Sequence, residues 1–323
     1  VIAQFKCVED DASAKFNSLY PFYFLAWTTT PWTLPSNTAL TVGAKIEYSF
    51  IKTFNQYTKE KTTVVVASSL IEKVFAKNFF IVNHENELDT FKESDSKIPY
   101  CVISSCKGID IENFRYERVW DESPLPIDNP ENAFRVILGD FVTTEDGTGI
   151  VHTAPTFGAD DYKAAKSATP EVPPLQVLDS NGNKIPLVDL KGKFIEGIGM
   201  ISGKYVKNEY YADEDIPKKS VDVEIAIRLK EKNLAFKVEK YSHSYPHCWR
   251  TDKPVLYYPM ESWFIKVSDL TERMYNLNKN INWKPSSTGE GRFGNWLKSA
   301  NDWNLSRSRF WGVPLPIWVD EEN

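Results

Sequence analysis

Two stretches of this sequence carry side chains that could hold a small polar ligand. The first is Trp27-Thr28-Thr29-Thr30-Pro31-Trp32-Thr33-Leu34-Pro35-Ser36-Asn37. It sets hydroxyls, an amide and two indoles side by side, so it can pack an apolar group and still offer short polar contacts to an ester or an amine. The second is Gly147-Thr148-Gly149-Ile150-Val151-His152-Thr153-Ala154-Pro155-Thr156-Phe157-Gly158-Ala159-Asp160-Asp161-Tyr162. It adds one imidazole, His152, and two adjacent carboxylates.

The elements around these residues decide where they point. Phe22-Tyr23-Phe24-Leu25-Ala26 is aromatic and strand-like. Pro31 and Pro35 lack an N–H and push the residue before them toward extended geometry, so they are expected to stop regular structure. A strand thus feeds a stiff, hydroxyl-rich loop. In the second stretch, Asp146-Gly147 signals a turn. Ile150-Val151 reads as a short buried strand that delivers His152 to its end, and residues 160–166 read as the first turns of a helix. One of Asp160 and Asp161 is expected to cap that helix, because carboxylates suit helix N-termini. Plainer readings exist for each. Threonine is common in strands, proline-rich loops often only connect, and a strand-end histidine can simply be hydrogen-bonded in place.

With 323 residues, 42% apolar and 14% aromatic, the chain can bury a substantial core as one large domain or two smaller ones. No run of about 18 apolar residues is present, so no membrane partner is expected. No signal peptide is visible, and the first residue, Val1, suits a fragment. Cys7, Cys101, Cys106 and Cys248 form no C-x-x-C pair and no disulfide framework, which fits a reducing cytoplasm. Cys248 follows His247, but neighbours on a strand point to opposite faces, so a buried thiol is the better reading than a Cys–His pair. His84, His152, His243 and His247 are dispersed, and Pro246 breaks any helical pairing of the last two, so no metal site is expected.

A net charge of −6 argues against a surface that coats nucleic acid through many phosphates. It leaves room for gripping one flexible 3′ end. Local basic patches stand at Lys191 and Lys193, at Lys204 and Lys207, and over residues 228–240, as either solvated lysines or RNA contacts.

The chain is strand-rich to about residue 210, where residues 22–30, 47–53, 62–67, 101–104, 134–138 and 149–153 read as strands. Residues 69–79 read as a helix, 180–183 as a turn, 221–232 as a helix after Ser220, and 269–278 as a helix with Ser268 as N-cap. Short strands with few long helices between them suggest a barrel or a sandwich. From about Tyr241 onward tryptophans cluster, a change of texture that suggests a separate return segment.

Together these stretches resemble the editing domain of isoleucyl-tRNA synthetase, a class I aminoacyl-tRNA synthetase. The matching strings run from Thr28 to Asn37, Gly147 to Tyr162, Pro246 to Val267 and Asp302 to Trp318, in the family's order. The valyl and leucyl relatives differ in the threonine loop. The HIGH and KMSKS strings with which the full enzyme activates its amino acid do not occur. The resemblance therefore implies an insertion domain that does not make aminoacyl-adenylate. The implied fold class is α+β, mostly β: a closed β-barrel editing core with peripheral helices over residues 1–240. Residues 241–323 would form a return segment leading to the nucleotide-binding catalytic core.

The implied activity is hydrolytic editing of mischarged Val-tRNA(Ile), cleaving the aminoacyl ester and sparing Ile-tRNA(Ile). Valine and isoleucine differ by one methylene. A hydrophobic pocket gains only about 1–3 kcal/mol from it, a magnitude established on this synthetase family itself. A second site must therefore exclude isoleucine by size and hydrolyse what enters. By position, Trp27, Thr28, Thr30, Thr33 and His152 match the side-chain pocket, with His152 as the size gate. Asp161 matches the carboxylate that holds the substrate's α-ammonium group. An aspartate beside an ammonium stays ionised and is a poor base, so it is an anchor. Thr29 and Asn37 match positions near the terminal adenosine and the ester, although Asn37 could instead brace the loop.

The implied reaction is attack of a positioned water on the ester carbonyl, with backbone N–H groups and threonine hydroxyls at the oxyanion. No cofactor is implied for editing; ATP and magnesium belong to the full-length synthetase. The implied partners are the tRNA(Ile) 3′ acceptor end, valine as its ester and the rest of the synthetase in cis. A monomer is expected. The alternatives are a non-catalytic module that docks the acceptor end and a metal-dependent esterase.

Overall fold

The computed structural model describes residues 1–306 and 316–320. The chain divides into two compact units, Val1–Pro259 and Met260–Asn323. Residues 241–259 thus cluster with the first unit.

The first unit is built on one large mixed sheet. Its strands are β1 (Ile2–Lys6), β2 (Phe22–Trp27), β3 (Ala39–Val42), β4 (Glu47–Phe54), β5 (Lys61–Ala67), β6 (Phe79–Ile81), β7 (Ile98–Lys107), β8 (Arg135–Leu138) and β9 (Ile150–Thr153). A hairpin of β10 (Gln176–Leu178) and β11 (Lys184–Pro186) stands apart, and β12 (Ala235–Lys237) pairs with β1. The ladder runs β6-β7-β4-β5-β2-β9-β3-β8, with β1 on the other edge of β2. The ladder proper has ends at β6 and β8. The irregular segment 113–117 then carries hydrogen bonds from β8 to β1. Val136 N–H donates to Phe114 (2.8 Å), Tyr116 N–H to Phe134 (3.1 Å), and Glu117 N–H to Lys6 (2.8 Å).

β5 explains the core. Its run Thr62-Thr63-Val64-Val65-Val66-Ala67 is buried throughout, as expected for a β-branched strand covered on both faces between β4 and β2. Phe22 and Phe24 of β2 and Phe50 of β4 meet edge to face beside it, with ring centroids 5.1–5.7 Å apart.

β2 is where the sheet forks. Phe22–Phe24 pair in parallel with β5, and Trp27 pairs with Val151 of β9. The two stretches singled out in the sequence therefore leave the sheet side by side.

Helices flank this frame. The segment expected as a helix over 69–79 forms only one turn, α1 (Ile71–Val74), before the chain extends again into β6. The helix after Gly158 is α2 (Ala159–Ser167). α3 (Val221–Glu231) follows Ser220, whose carbonyl accepts Val223 and Glu224 while its hydroxyl makes no cap bond. Val221, Ile225 and Leu229 form its buried face.

The second unit holds α4 (Thr271–Asn278), α5 (Ser286–Glu290) and α6 (Arg292–Lys298), and a two-stranded ribbon of β13 (Phe264–Ile265) and β14 (Trp303–Asn304). Ser268 does not cap α4. It lies in a 3-10 turn and donates its hydroxyl to Asp302 at 2.7 Å. The matching string ending at Trp318 runs through residues 307–315, outside the described residues. Among the described residues no helix is long and apolar enough to cross a membrane.

Candidate functional site

The threonine loop is more regular than its prolines suggested. Pro31–Ser36 form a 3-10 turn, all of it buried. Pro31 opens the turn, where its fixed φ fits and its missing N–H leaves no bond unmade. Thr33 N–H donates to Thr30 C=O at 3.0 Å, and Asn37 N–H to Leu34 C=O at 3.1 Å. Two outside groups hold the turn. Asp222, in the first turn of α3, accepts the backbone N–H of Trp32 at 2.8 Å, and the Trp32 ring meets Phe157 with centroids 5.0 Å apart. Asp222 carried no sequence signal of its own. Burial holds its carboxyl above the usual range against Lys207, 3.7 Å away.

His152 sits at the meeting of the two stretches. β9 runs antiparallel to β3, with His152 opposite Leu40, so the residues that lead into β3 pass the imidazole. The Thr33 hydroxyl lies 3.1 Å from Nε2, and the Asn37 side-chain nitrogen 2.8 Å from Nδ1. Asn37 also donates to Ala39 C=O at 2.8 Å and accepts the Tyr116 hydroxyl at 2.6 Å. All of these residues are buried, and burial lowers the His152 pKa to about 3. The ring is neutral and engaged on both nitrogens. It can serve as a fixed wall, whereas a general base needs a free nitrogen and a pKa near the working pH. The Asn37 amide is likewise consumed by bracing.

Asp161 does not cap its helix, and neither does Asp160. Gly158 occupies the N-cap position. Asp161 instead turns back over the loop and accepts the N–H of Ala154 at 2.8 Å. Burial raises its pKa, partly offset by the Ala154 bond, with neighbouring Asp160 adding to the rise. The carboxylate, expected to be ionised beside an ammonium, is by itself held above its ordinary range.

The remaining threonines line the exit from β2. Thr28 is buried, whereas Thr29 and Thr30 are half-exposed. The Thr28 hydroxyl accepts the Thr30 N–H at 3.1 Å, a local turn that presents Thr29 outward. Trp27 is half-buried between Tyr241, at 5.3 Å edge to face, and Gly147, which has room for no Cβ beside the indole. Thr28, Thr30, Thr33, Asn37 and His152 therefore form one connected group.

Several basic candidates face carboxylates within the fold. Lys204 pairs with Glu224 at 2.6 Å, Arg228 with Glu122 at 2.9 Å, and Lys232 with Asp121 at 3.2 Å. Among the described residues no three His, Cys, Asp or Glu side chains gather as a metal-binding group.

Tyr116 was not singled out by the sequence. The signal was present in Phe114-Arg115-Tyr116-Glu117-Arg118, whose alternation of aromatic and charged residues marks a half-buried extended segment.

Residues 30–323 match the family model described as tRNA synthetases class I (I, L, M and V). The chain belongs to this class I tRNA synthetase family. Relatives it is similar to include isoleucine–tRNA ligases. It is 52% identical to that of Cytophaga hutchinsonii, over 99% of this chain and 28% of the relative. It is 47% identical to that of Porphyromonas gingivalis (99% and 29%) and 42% identical to that of Thermoplasma volcanium (93% and 24%). The chain thus spans just over a quarter of the length of the first of these relatives. Among solved structures, one described as the crystal structure of GlLeuRS-CP1 is similar at a TM-score of 0.35 and 18% identity, covering 51% of this chain and 58% of that one.

Proposed function

We propose that the chain is an editing unit of an isoleucyl-tRNA synthetase, which hydrolyses the ester of Val-tRNA(Ile) and spares Ile-tRNA(Ile). The observation that carries this reading is the contact of Thr33 with His152 at 3.1 Å, which joins the two stretches into one site. Thr28, Thr30 and Thr33 would receive the branched side chain beside Trp27, with the His152 ring as the wall that a further methylene meets. Asp161 would take the α-ammonium group through a charge-assisted bond, which selects free aminoacyl esters over N-blocked ones. Thr29 would face the terminal ribose and the ester.

Hydrolysis then needs positioning more than a strong base, because an aminoacyl ester is already a good electrophile. Water adds to the carbonyl carbon, the acyl C–O bond breaks, and the ribose oxygen leaves with one of the water's protons. Valine departs as its carboxylate, and the second proton goes to solvent. Backbone N–H groups and threonine hydroxyls would stabilise the oxyanion between these steps. In this reading Asn37 acts through His152.

The circuit of β1, β2, β9, β3, β8 and segment 113–117 would be the barrel of the editing core. The proposed partners are the 3′ end of tRNA(Ile) and the rest of a synthetase in cis, with the unit monomeric and cytoplasmic. The test is a deacylation assay with purified chain and Val-tRNA(Ile), with and without a strong chelator. Loss of valyl ester well above the buffer rate, unaffected by chelator, is expected. A rate equal to buffer would leave a docking module instead, and inhibition by chelator would point to a metal-dependent esterase.

A further inference from the structure

The strongest unassigned feature is a buried tyrosine outside both motif stretches. Tyr116 lies in the segment 113–117 that bridges β8 to β1, and is 3% exposed. Its ring is held edge-on by Phe5 (5.3 Å) and Phe134 (6.5 Å). Its hydroxyl makes one polar contact toward the site, donating to Asn37 Oδ1 at 2.6 Å.

That contact and a backbone carbonyl together hold Asn37 one way round. Ala39 C=O, 2.8 Å from the Asn37 nitrogen, can only accept, so the amide N–H₂ must face it. The second N–H then points at His152 Nδ1, 2.8 Å away, in preference to Thr153 C=O at 3.4 Å from the same nitrogen. A ring nitrogen that accepts carries no proton. A neutral imidazole has one proton, which therefore sits on Nε2 and is donated to the Thr33 hydroxyl at 3.1 Å. Thr33 passes its own hydroxyl proton to Thr30 C=O at 2.9 Å. Every link runs in one direction, from Tyr116 through Asn37, His152 and Thr33 to the backbone of Thr30. Reversing any one leaves a buried donor facing a donor, or an acceptor facing an acceptor.

We propose that Tyr116 is a positioning residue that, through Asn37, locks His152 in its Nε2–H tautomer and so holds the size-limiting wall of the site in place. The inference rests on the proposed editing function for its effect on substrate choice, but not for the tautomer itself. Without the tyrosine hydroxyl, Asn37 Oδ1 loses its donor in a buried setting. The amide is then held by Ala39 C=O alone, its grip on the ring loosens, and the ring can exchange its proton between nitrogens. Nothing in this role touches the ester, so hydrolysis should lose selectivity before it loses rate.

The test compares the wild-type chain with Tyr116→Phe, which keeps the ring and its packing. Long-range ¹H–¹⁵N spectra of histidine-labelled protein report the His152 tautomer directly. The expected wild-type result is a bare Nδ1 and a protonated Nε2, with exchange between tautomers in the variant. In deacylation assays the preference for Val-tRNA(Ile) over Ile-tRNA(Ile) should fall about tenfold, the effect of one buried hydrogen bond, mainly by faster loss of the isoleucyl ester. A protonated Nδ1 in the wild type would overturn the inference, even if the variant failed to fold. So would a variant with unchanged tautomer and unchanged preference. If the wild type hydrolysed neither ester, the proposed function would fall, and the nitrogen spectra would still decide the role of Tyr116.

Discussion

Asp161 reaches back seven residues to accept the backbone N–H of Ala154 at 2.8 Å, and this bond joins α2 to the loop that follows His152. The carboxylate thus has a structural partner before any substrate arrives. Its proposed task, holding an ammonium, can be separated from that bracing. Asp161→Asn keeps an oxygen for Ala154 and removes the charge. It should lower deacylation about 10- to 100-fold, the worth of a charge-assisted bond, with little change in melting temperature. Asp161→Ala should lose the same activity and also about 1 kcal/mol of stability from the unmade backbone bond. Near-normal rates for both variants would contradict the anchor role; thermal melts read alongside deacylation rates check it.

The same burial gives a pH dependence with a defined sign. The folded-state pKa of Asp161 is raised above 3.8, so its contribution to stability is complete below that value and is lost as pH rises through the folded pKa. His152 does the opposite. Its pKa falls from 6.5 to about 3, so its contribution is present above 6.5 and is lost as pH falls toward 3. Asp161→Asn should therefore gain stability relative to wild type on going from acid to neutral pH. An amine ligand should bind more tightly over the same rise, as the carboxylate ionises. Calorimetric melts and amine titrations across the acid range check both; a ligand affinity independent of pH would contradict the pairing.

His152 tests the gate. His152→Ala removes a ring that touches Thr33 and Asn37 and leaves both without that partner. Ile-tRNA(Ile) should become a substrate, and the preference for the valyl ester should vanish or invert, since in a simple pocket the extra methylene favours isoleucine by about 1–3 kcal/mol. Stability should fall by about 2–4 kcal/mol from the cavity and the broken bonds. Parallel deacylation of the two esters measures the change, and a variant that still spares the isoleucyl ester would place the gate elsewhere.

Gly149 tests how His152 is delivered. Its φ of +72° suits glycine, and a Cβ there would lie 2.4 Å from Cβ of Ala67 in β5. Gly149→Ala should cost about 2–4 kcal/mol, from the left-handed backbone together with the overlap. Because β9 begins at the next residue, the variant should also lose deacylation; denaturant unfolding and rate measurements check the pair.

Much of this arrangement was legible in the sequence because it depends on local chemistry. The β-branched run of β5, the aromatic run of β2 and the i, i+4, i+8 face of α3 each state their element and their buried side. The parts that were not legible depend on distant partners. β1 and β3 are short strands whose burial comes from β2, β9 and β8 rather than from their own pattern. The turn Pro31–Ser36 is regular because Asp222 supplies an acceptor from α3, far away in sequence. Asp161 braces a loop instead of capping, since Gly158 takes the cap position and its open side leaves the carboxylate room to fold over. Tyr116 matters through a bond to Asn37 that no spacing announces.

Titration calorimetry with non-hydrolysable aminoacyl-adenosine analogues tests the central claim most directly, because it reads the sieve without the chemistry. The valyl analogue should bind the wild-type chain, and the isoleucyl and N-acetyl-valyl analogues should bind about tenfold more weakly or worse. Equal affinity for the valyl and isoleucyl forms would show that no wall at His152 separates them.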